Sequence, residues 1–222
     1  MVMSVSLLSS HESVVWSEFH KGHTTSEIAQ ATRNPNWLHE RGLMTEKDLA
    51  EALRRIKEIQ RRLRRGERDS DRSRMEHELD RVAREWAWSP AYVSRVLNRA
   101  RKKIDRVLRN HATSHRLDIE SVLDYKGLLM GFDYQANAQV YIVFTLDLGV
   151  VVWYEHDSYG GKPCSECPKE KACRVTLDTI IREYAITLRP DEVELPMTQQ
   201  SIAVFRKLAA KEVPRYKRKE SD

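Results

Sequence analysis

The chain has 222 residues, of which 41% are hydrophobic and 32% are charged, and its formal net charge is +5. This length suits one medium domain or two small domains of about 100–150 residues each, and the composition excludes a disordered chain, a collagen-like chain and a small secreted disulfide scaffold. No apolar run approaches the roughly 18–20 residues of a membrane span, and no positive charge precedes the short apolar run at the N-terminus, so we expect a cytoplasmic globular protein without a secretory signal.

The positive charge is concentrated in one quarter of the chain. Residues 54–110 contain nineteen Lys or Arg against nine Asp or Glu, a net charge of +10, whereas residues 1–53 and 111–222 have net charges of −3 and −2. Sixteen of the nineteen cations are arginines, which suit the recognition of phosphates and base edges. A localised basic block indicates a polyanionic partner, most often nucleic acid. The alternative is a solvated helix face.

The first half of the chain predicts helices. Apolar spacing and capping residues place them at residues 11–20, 26–32, 45–65, 75–86 and 90–109. Asn34 and Pro35 predict a turn, and the polar residues 66–74 predict a loop or a frayed helix end. Residues 111–115 predict a hinge, because arginine becomes rarer there and strand-forming residues follow.

The second half of the chain predicts a small antiparallel sheet. A three-stranded meander is expected over residues 128–134, 139–145 and 150–155, followed by helices at 175–184 and 198–210 and a polar tail at 215–222. The predicted fold class is α+β, in which an all-helical domain of residues 1–115 precedes a domain of residues 116–222 with the sheet, two helices and a cysteine-rich loop at 160–174.

A segment near the middle of the chain has the spacing of two helices that cross at close range. Ala83 is a small residue inside the first helix, and Ala87 lies where the tight turn between such helices usually has a glycine. Val93 and Val96, three residues apart, are expected to face inward from the second helix, and Val82 and Trp86 are expected to cover the inward face of the first. The alternative is an ordinary helical hairpin with an arginine-rich face.

This segment resembles the helix-turn-helix of bacterial and archaeal transcription regulators and of the fourth region of sigma factors, with the motif at about residues 76–108. The resemblance implies that the second helix enters the major groove, where Arg95 would contact guanine and Asn98 adenine. Cations further along that helix are expected to contact phosphate. The DNA-binding residues implied in this way are Ser89, Ala91, Tyr92, Ser94, Arg95, Asn98, Arg99, Arg101, Lys102 and Lys103.

A second, weaker similarity to the sigma-like unit lies nearer the N-terminus. Residues 21–29, K-G-H-T-T-S-E-I-A, match a phrase that normally leads into a recognition helix, but R-N-P-N-W follows here at residues 33–37. Two interpretations are open: a degenerate first unit, or an insertion of residues 33–75 inside one unit that ends at Ser89. We prefer the first interpretation, because residues 75–86 already supply a helix ahead of Ser89.

The three cysteines fall within ten residues, at Cys164, Cys167 and Cys173. The C-x2-C spacing lets two thiolates bind one metal ion, and Cys173 begins a predicted helix, where the helix dipole and nearby lysines favour a thiolate. With His156 as the nearest fourth ligand, the spacing predicts a structural zinc site. The C-x2-C-P-x4-C pattern also resembles the iron–sulfur clasp of RecB-family nucleases and of some oxygen-sensing regulators, although those families use a fourth cysteine that this chain lacks. An iron–sulfur cluster, free thiols and a disulfide are the alternatives.

These features predict a sequence-specific, DNA-binding transcription regulator without enzymatic activity, since no catalytic motif is recognisable. Its partner would be double-stranded DNA, with a C-terminal domain that acts as a sensor, dimerisation or docking module. A homodimer is expected, since most such regulators bind paired half-sites, and the apolar stripe of the helix at 45–65 could pair with its copy or pack within the chain. The alternatives are a nucleic-acid-processing enzyme subunit with an iron–sulfur clasp, and an RNA-polymerase-associated or viral adaptor.

Overall fold

The structure is a computed structural model that describes residues 7–64, 69–156 and 163–213. Within these ranges the chain forms nine α-helices and one four-stranded antiparallel sheet in the order β1-β2-β3-β4, which confirms the predicted α+β class. The helices are α1 (Ser10–His20), α2 (Thr25–Ala31), α3 (Pro35–Glu40), α4 (Glu46–Arg64), α5 (Asp69–Arg84), α6 (Pro90–Ser114), α7 (Glu170–Glu183), α8 (Pro190–Val193) and α9 (Met197–Ala210). The strands are β1 (Asp118–Leu123), β2 (Leu128–Asp133), β3 (Ala138–Thr145) and β4 (Gly149–Tyr154).

The sheet lies between two layers of helices. Alternate residues of a strand point to opposite faces, and on β3 the side chains of Ile142 and Phe144 join an apolar cluster with α1 and α6. Tyr141 and Val143 join a second cluster with α7 and α9 on the other face. Because helices cover both faces, β3 is apolar at nearly every position instead of alternating with polar residues.

The N-terminal helices begin at the capping residues that the sequence suggested. Ser9 forms a capping box with Glu12 at the start of α1, Thr24 forms one with Glu27 at α2, and the Ser89 hydroxyl accepts a hydrogen bond from the Tyr92 N–H at α6. Each box satisfies backbone N–H groups that have no partner within the helix. These caps fix where the helices start, and their apolar faces fix how they pack.

Four local predictions differ from the structure. The turn predicted at Asn34 and Pro35 is instead the start of α3, because Asn34 caps the helix and Pro35 suits its first position. The loop predicted at 66–74 is helical from Asp69 onward, while residues 65–68 lie outside the described ranges. The hinge predicted at 111–115 is wrong, since α6 continues to Ser114 with Ala112 fully buried.

The fourth difference is the strand β1, which precedes the predicted meander. Its sequence, D-I-E-S-V-L, mixes charged and apolar residues on an exposed edge, so no alternating pattern marked it. It pairs with β2 and contains a register irregularity between Ile119 and Ser121. The polar tail predicted at 215–222 lies outside the described residues, as does the start of the predicted cysteine loop at 160–162.

One apolar cluster crosses the predicted domain boundary between residues 115 and 116. Leu117, Leu129 and Ile142 of the C-terminal part are buried together with Val93 and Ile104 of α6. The helical part and the sheet therefore share a core across the predicted boundary between residues 1–115 and 116–222. No helix in the described ranges has both the length and the apolar character that a membrane span needs.

Candidate functional site

The helices α2 and α6 pack against each other although a long segment separates them in the sequence. Ile28 and Ala29 of α2 are buried in one cluster with Val93, Val96 and Ala100 of α6. A small residue at position 29 lets the two helix backbones approach closely. The helix α1 packs against α6 as well, so α6 lies on a platform of α1 and α2.

The first helix of the predicted helix-turn-helix does not have the predicted partner. In α5, Val82 is buried with Ile59 of α4 and with Met75, and the half-buried Trp86 packs on this same cluster instead of on Val93 and Val96. The prediction of one motif at 76–108 is therefore wrong for α5, because α4 covers the apolar face of this helix. The packing favours an insertion between α2 and α6, as in the other interpretation, but the inserted segment does not end at residue 75, because α5 packs on α4 and belongs to it as well.

The inserted segment, residues 33–87, leaves and rejoins the α2–α6 pair at one place. The Trp88 N–H donates to the buried Thr32 hydroxyl at 2.8 Å, and the Trp86 indole N–H donates to the Arg33 carbonyl at 3.1 Å. The Arg33 guanidinium also pairs with Asp80 of α5 at 2.8 Å. These contacts join the two ends of the insertion, so α6 follows α2 in space as it would after a short turn.

The outward face of α6 carries most of the predicted DNA-binding residues. Positions 91, 95, 98 and 102 lie on one side of the helix because they are three or four residues apart. Ala91, Arg95, Asn98 and Lys102 are exposed, and so is Arg99 at the margin of this face. In the described part of the chain, Arg95 and Lys102 form no ion pair. Ser94 is half-buried, and Ser89 is exposed at the cap.

Five of the predicted DNA-binding residues contact other parts of the protein: Tyr92, Asn98, Arg99, Arg101 and Lys103. The Asn98 Oδ1 accepts a hydrogen bond from the Tyr125 hydroxyl at 3.3 Å, and Arg99 lies near Glu12. The Tyr92 hydroxyl is 2.7 Å from Nδ1 of His11, and the guanidinium of Arg101 lies over the Tyr125 ring at 4.6 Å. Lys103 donates a hydrogen bond to Glu12, as described next. These contacts use the polar groups of Tyr92 and Lys103 and one face of the Arg101 guanidinium, so these residues fix the orientation of α6.

Glu12 of α1 is a buried carboxylate that the sequence did not identify as part of the site. Its Oε2 accepts hydrogen bonds from Lys103 Nζ at 2.7 Å and from the Ser9 N–H at 2.9 Å, and Arg99 Nε lies 3.9 Å from its Oε1. Burial raises the pKa of Glu12, but the hydrogen bonds from Lys103 and Ser9 outweigh this effect and hold the pKa below its usual value. The carboxylate therefore stays charged and ties α6 to α1.

The three cysteines and His156 line one cavity on the other side of the sheet. The cavity has a volume of about 280 Å³ and lies between the end of β4 and the start of α7 and α9, with Trp153 and Met197 among its apolar walls. All three cysteines are free thiols. The structure thus brings Cys164, Cys167, Cys173 and His156 around a single space, although the sequence alone did not show that a cavity separates them.

The cavity residues do not form a ready-made site for a single ion. Among the described residues, no three His, Cys, Asp or Glu side chains are close enough together to hold one metal ion. Burial and the neighbouring thiols Cys167 and Cys164 raise the pKa of Cys173, which is opposite to the lowering expected from the helix start. A bound cation would reverse this effect, because it stabilises thiolates directly.

Comparison with known proteins adds no assignment. A scan against protein-family models, a search of curated proteins and a search of solved structures each found no match to this chain.

Proposed function

We propose that the protein is a sequence-specific DNA-binding regulator whose recognition helix is α6. The observation that carries the proposal is the face of α6 on which Arg95, Asn98 and Lys102 are exposed, while α1 and α2 pack against other positions of the helix. A helix supported in this way from one side can enter a major groove with its other side. The basic charge of residues 54–110 supplies the attraction to phosphate.

The residues of this face divide into two roles. Arg95 and Asn98 lie near the start of α6 and have the forked donor and acceptor groups that pair with guanine and adenine edges. Lys102 lies one to two turns further along and suits phosphate contact, which contributes affinity without sequence information. Arg101 and Lys103, which the sequence predicts to contact phosphate together with Lys102, instead contact Tyr125 and Glu12 within the protein.

The test is selection of bound sequences from a random pool of duplex DNA. We expect enrichment of a short site, and we expect Arg95→Ala to lose about 1–3 kcal/mol of discrimination at one or two base pairs. Lys102→Ala is the matched control, because it should weaken all sequences alike and reduce the dependence of binding on salt concentration. Failure of the wild-type protein to enrich any sequence would contradict the proposal.

The same experiment separates DNA binding from the alternative function as a polymerase-associated or viral adaptor. An adaptor that docks on protein through its helices would bind DNA weakly and without enrichment.

The apolar stripe of α4 packs on α5 within the chain, with Ile59 buried beside Met75 and Val82. This stripe therefore gives no support to a homodimer through α4, and the dimer is proposed on the usual pairing of half-sites alone. Analytical sedimentation of the protein, with and without duplex DNA that contains the selected site, would measure its oligomeric state.

We also propose that the cysteine cavity binds a metal, with zinc as the expected ion. Thiolates and imidazole are ligands that suit Zn²⁺ and iron–sulfur clusters, and Cys164, Cys167, Cys173 and His156 all line the cavity. A metal there would join the 3₁₀ turn at Cys164–Glu166 to the start of α7 and stabilise the helices on this face of the sheet.

Elemental and sulfide analysis of the purified protein tests the metal. About one zinc per chain, lost in Cys167→Ser, would support the zinc proposal. Iron with inorganic sulfide would indicate an iron–sulfur cluster in place of zinc. Protein that contains no metal after expression in zinc- and iron-supplemented medium would overturn the proposal and leave the cysteines as free thiols.

A further inference from the structure

The inserted segment carries a row of cations on one side of α4. Arg54, Lys57, Arg61 and Arg64 are exposed, and their spacing of three, four and three residues places them on one face of the helix. The row extends over about 15 Å at a rise of about 1.5 Å per residue. These four residues are called the α4 cation row below.

The row differs from the other two arginines of α4, which hold the insertion together. Arg55 donates two hydrogen bonds to Glu85, which directly follows α5, at 2.6 and 2.7 Å, and Arg62 pairs with Glu78 of α5 at 3.4 Å. Both arginines therefore join α4 to the other end of the insertion. In the portion of the chain that the structure describes, the α4 cation row forms no ion pair, and Glu58, which lies within the same stretch, forms none either. No ion pair among the residues that the structure describes therefore neutralises the four charges of the row.

The stability of the fold explains the presence of only some of the four cations of the row. Cations in the last turn of a helix are stabilised by the helix dipole, by about 0.3–1 kcal/mol each, which accounts for Arg61 and Arg64. Arg54 and Lys57 lie in the middle of α4, where the dipole has little effect. The apolar contact of α4 with α5 uses Ile59 and does not involve them.

The two ends of the insertion lie beside the N-terminal end of α6. The face of α6 that we propose to contact DNA begins at this end. The hydrogen bonds from Trp86 to Arg33 and from Trp88 to Thr32 close the base of the insertion, and Ser89 follows Trp88 as the cap of α6. Ala91 and Arg95 lie in the first two turns beyond this cap. The hairpin of α4 and α5 thus emerges beside the end of α6 that would contact base edges.

We propose that the α4 cation row binds the phosphate backbone of the DNA that flanks the site read by α6. This inference rests on the proposed DNA-binding function and adds a second contact to it. Exposed, unpaired Arg and Lys side chains neutralise phosphates and release condensed counterions, so each contact increases affinity and its dependence on salt without selecting a sequence. The insertion therefore lengthens the DNA segment that the protein covers.

The test compares two double variants that remove the same charges. Arg54→Gln with Lys57→Gln changes the row, whereas Lys171→Gln with Arg206→Gln removes one Lys and one Arg that are exposed on α7 and α9. Binding is measured at two salt concentrations on the selected site with long flanks and on the same site trimmed to its core. Thermal unfolding checks that both variants keep the wild-type fold.

On the flanked duplex, a fourfold rise in salt concentration weakens the binding of both proteins. We expect this loss of affinity to be about tenfold smaller for the row variant than for the wild type, because two phosphate contacts account for about that factor. The control variant should follow the wild type, and the selected sequence should not change. A wild type that selects a site, with a row variant indistinguishable from the control, overturns this inference alone. The difference between wild type and row variant should disappear on the trimmed duplex, and a difference of the same size on flanked and trimmed DNA overturns the inference as well. A wild type that selects no site removes the proposed function and this inference together.

Discussion

At the scale of single residues, His20 has an environment that opposes protonation. It is 2% exposed and its ring lies 4.3 Å from that of Trp16 and 4.6 Å from that of Tyr184, measured between centroids. Within the described part of the chain neither ring nitrogen has a hydrogen-bond partner. Burial, with a smaller effect from the Lys211 ammonium, lowers the pKa of His20 to about 3. The folded protein therefore holds a neutral imidazole between its helical layer and α7.

This depressed pKa predicts a loss of stability in mild acid. The unfolded chain protonates His20 near its ordinary pKa of about 6.5, whereas the folded chain does so only near 3, so the free energy of unfolding falls as the pH falls below about 6.5. Between pH 6.5 and pH 5 we expect the wild type to lose about 2 kcal/mol more than His20→Phe, measured by urea unfolding at each pH. His77→Gln, which changes an exposed histidine, is the control and should follow the wild type. Identical pH dependence in wild type and His20→Phe would contradict the assigned environment.

At the scale of elements, the sequence predicted most of the helices that form the site, but it did not predict which helices pack against each other. The phrase at residues 21–29 and the start of α6 at Ser89 were both recognisable, as were the sheet and most helices. An apolar pattern indicates which face of a helix is covered but not which helix covers it. Ala83 has the expected spacing to Val93, yet Val82 beside it packs on α4, and Ala29 takes the corresponding place against α6. Contacts that join distant residues, such as Glu12 with Lys103, carry no local signal at all.

The pairing of α2 with α6 predicts opposite effects for two alanine substitutions. Ala29 is 4% exposed in the cluster with α6, so Ala29→Leu would overpack the crossing at a cost of about 1–3 kcal/mol and displace the recognition face. We expect a lower melting temperature and the loss of specific DNA binding. Ala83→Leu, at a half-buried position of α5, should melt and bind like the wild type. If Ala83→Leu alone abolished binding, α5 rather than α2 would be the partner of α6.

At the scale of the whole molecule, the sheet connects the two candidate sites. One face of β3 is covered by α1 and α6, of which α6 has the face that we propose to contact DNA. The other face is covered by α7 and α9, whose first turns border the cysteine cavity. Protein interiors are close-packed and transmit displacement. If the proposed metal changed how α7 and α9 lie on the sheet, packed side chains of the sheet would connect that change to α6.

The shared core predicts that the two parts of the chain unfold together. Ile104, Leu108 and Ala112 on one side of α6 are buried with Leu129 and other residues of the sheet, so a fragment of residues 1–115 would expose this apolar side to water. We expect denaturant unfolding of the full chain to give coincident transitions by helix circular dichroism and by tryptophan fluorescence, as a single cooperative unit does. The fragment should have a much lower free energy of unfolding than the full chain, since each exposed large side chain forfeits about 1.5–3 kcal/mol. A fragment as stable as the full chain, together with two separate transitions, would instead establish residues 1–115 and 116–222 as independent domains.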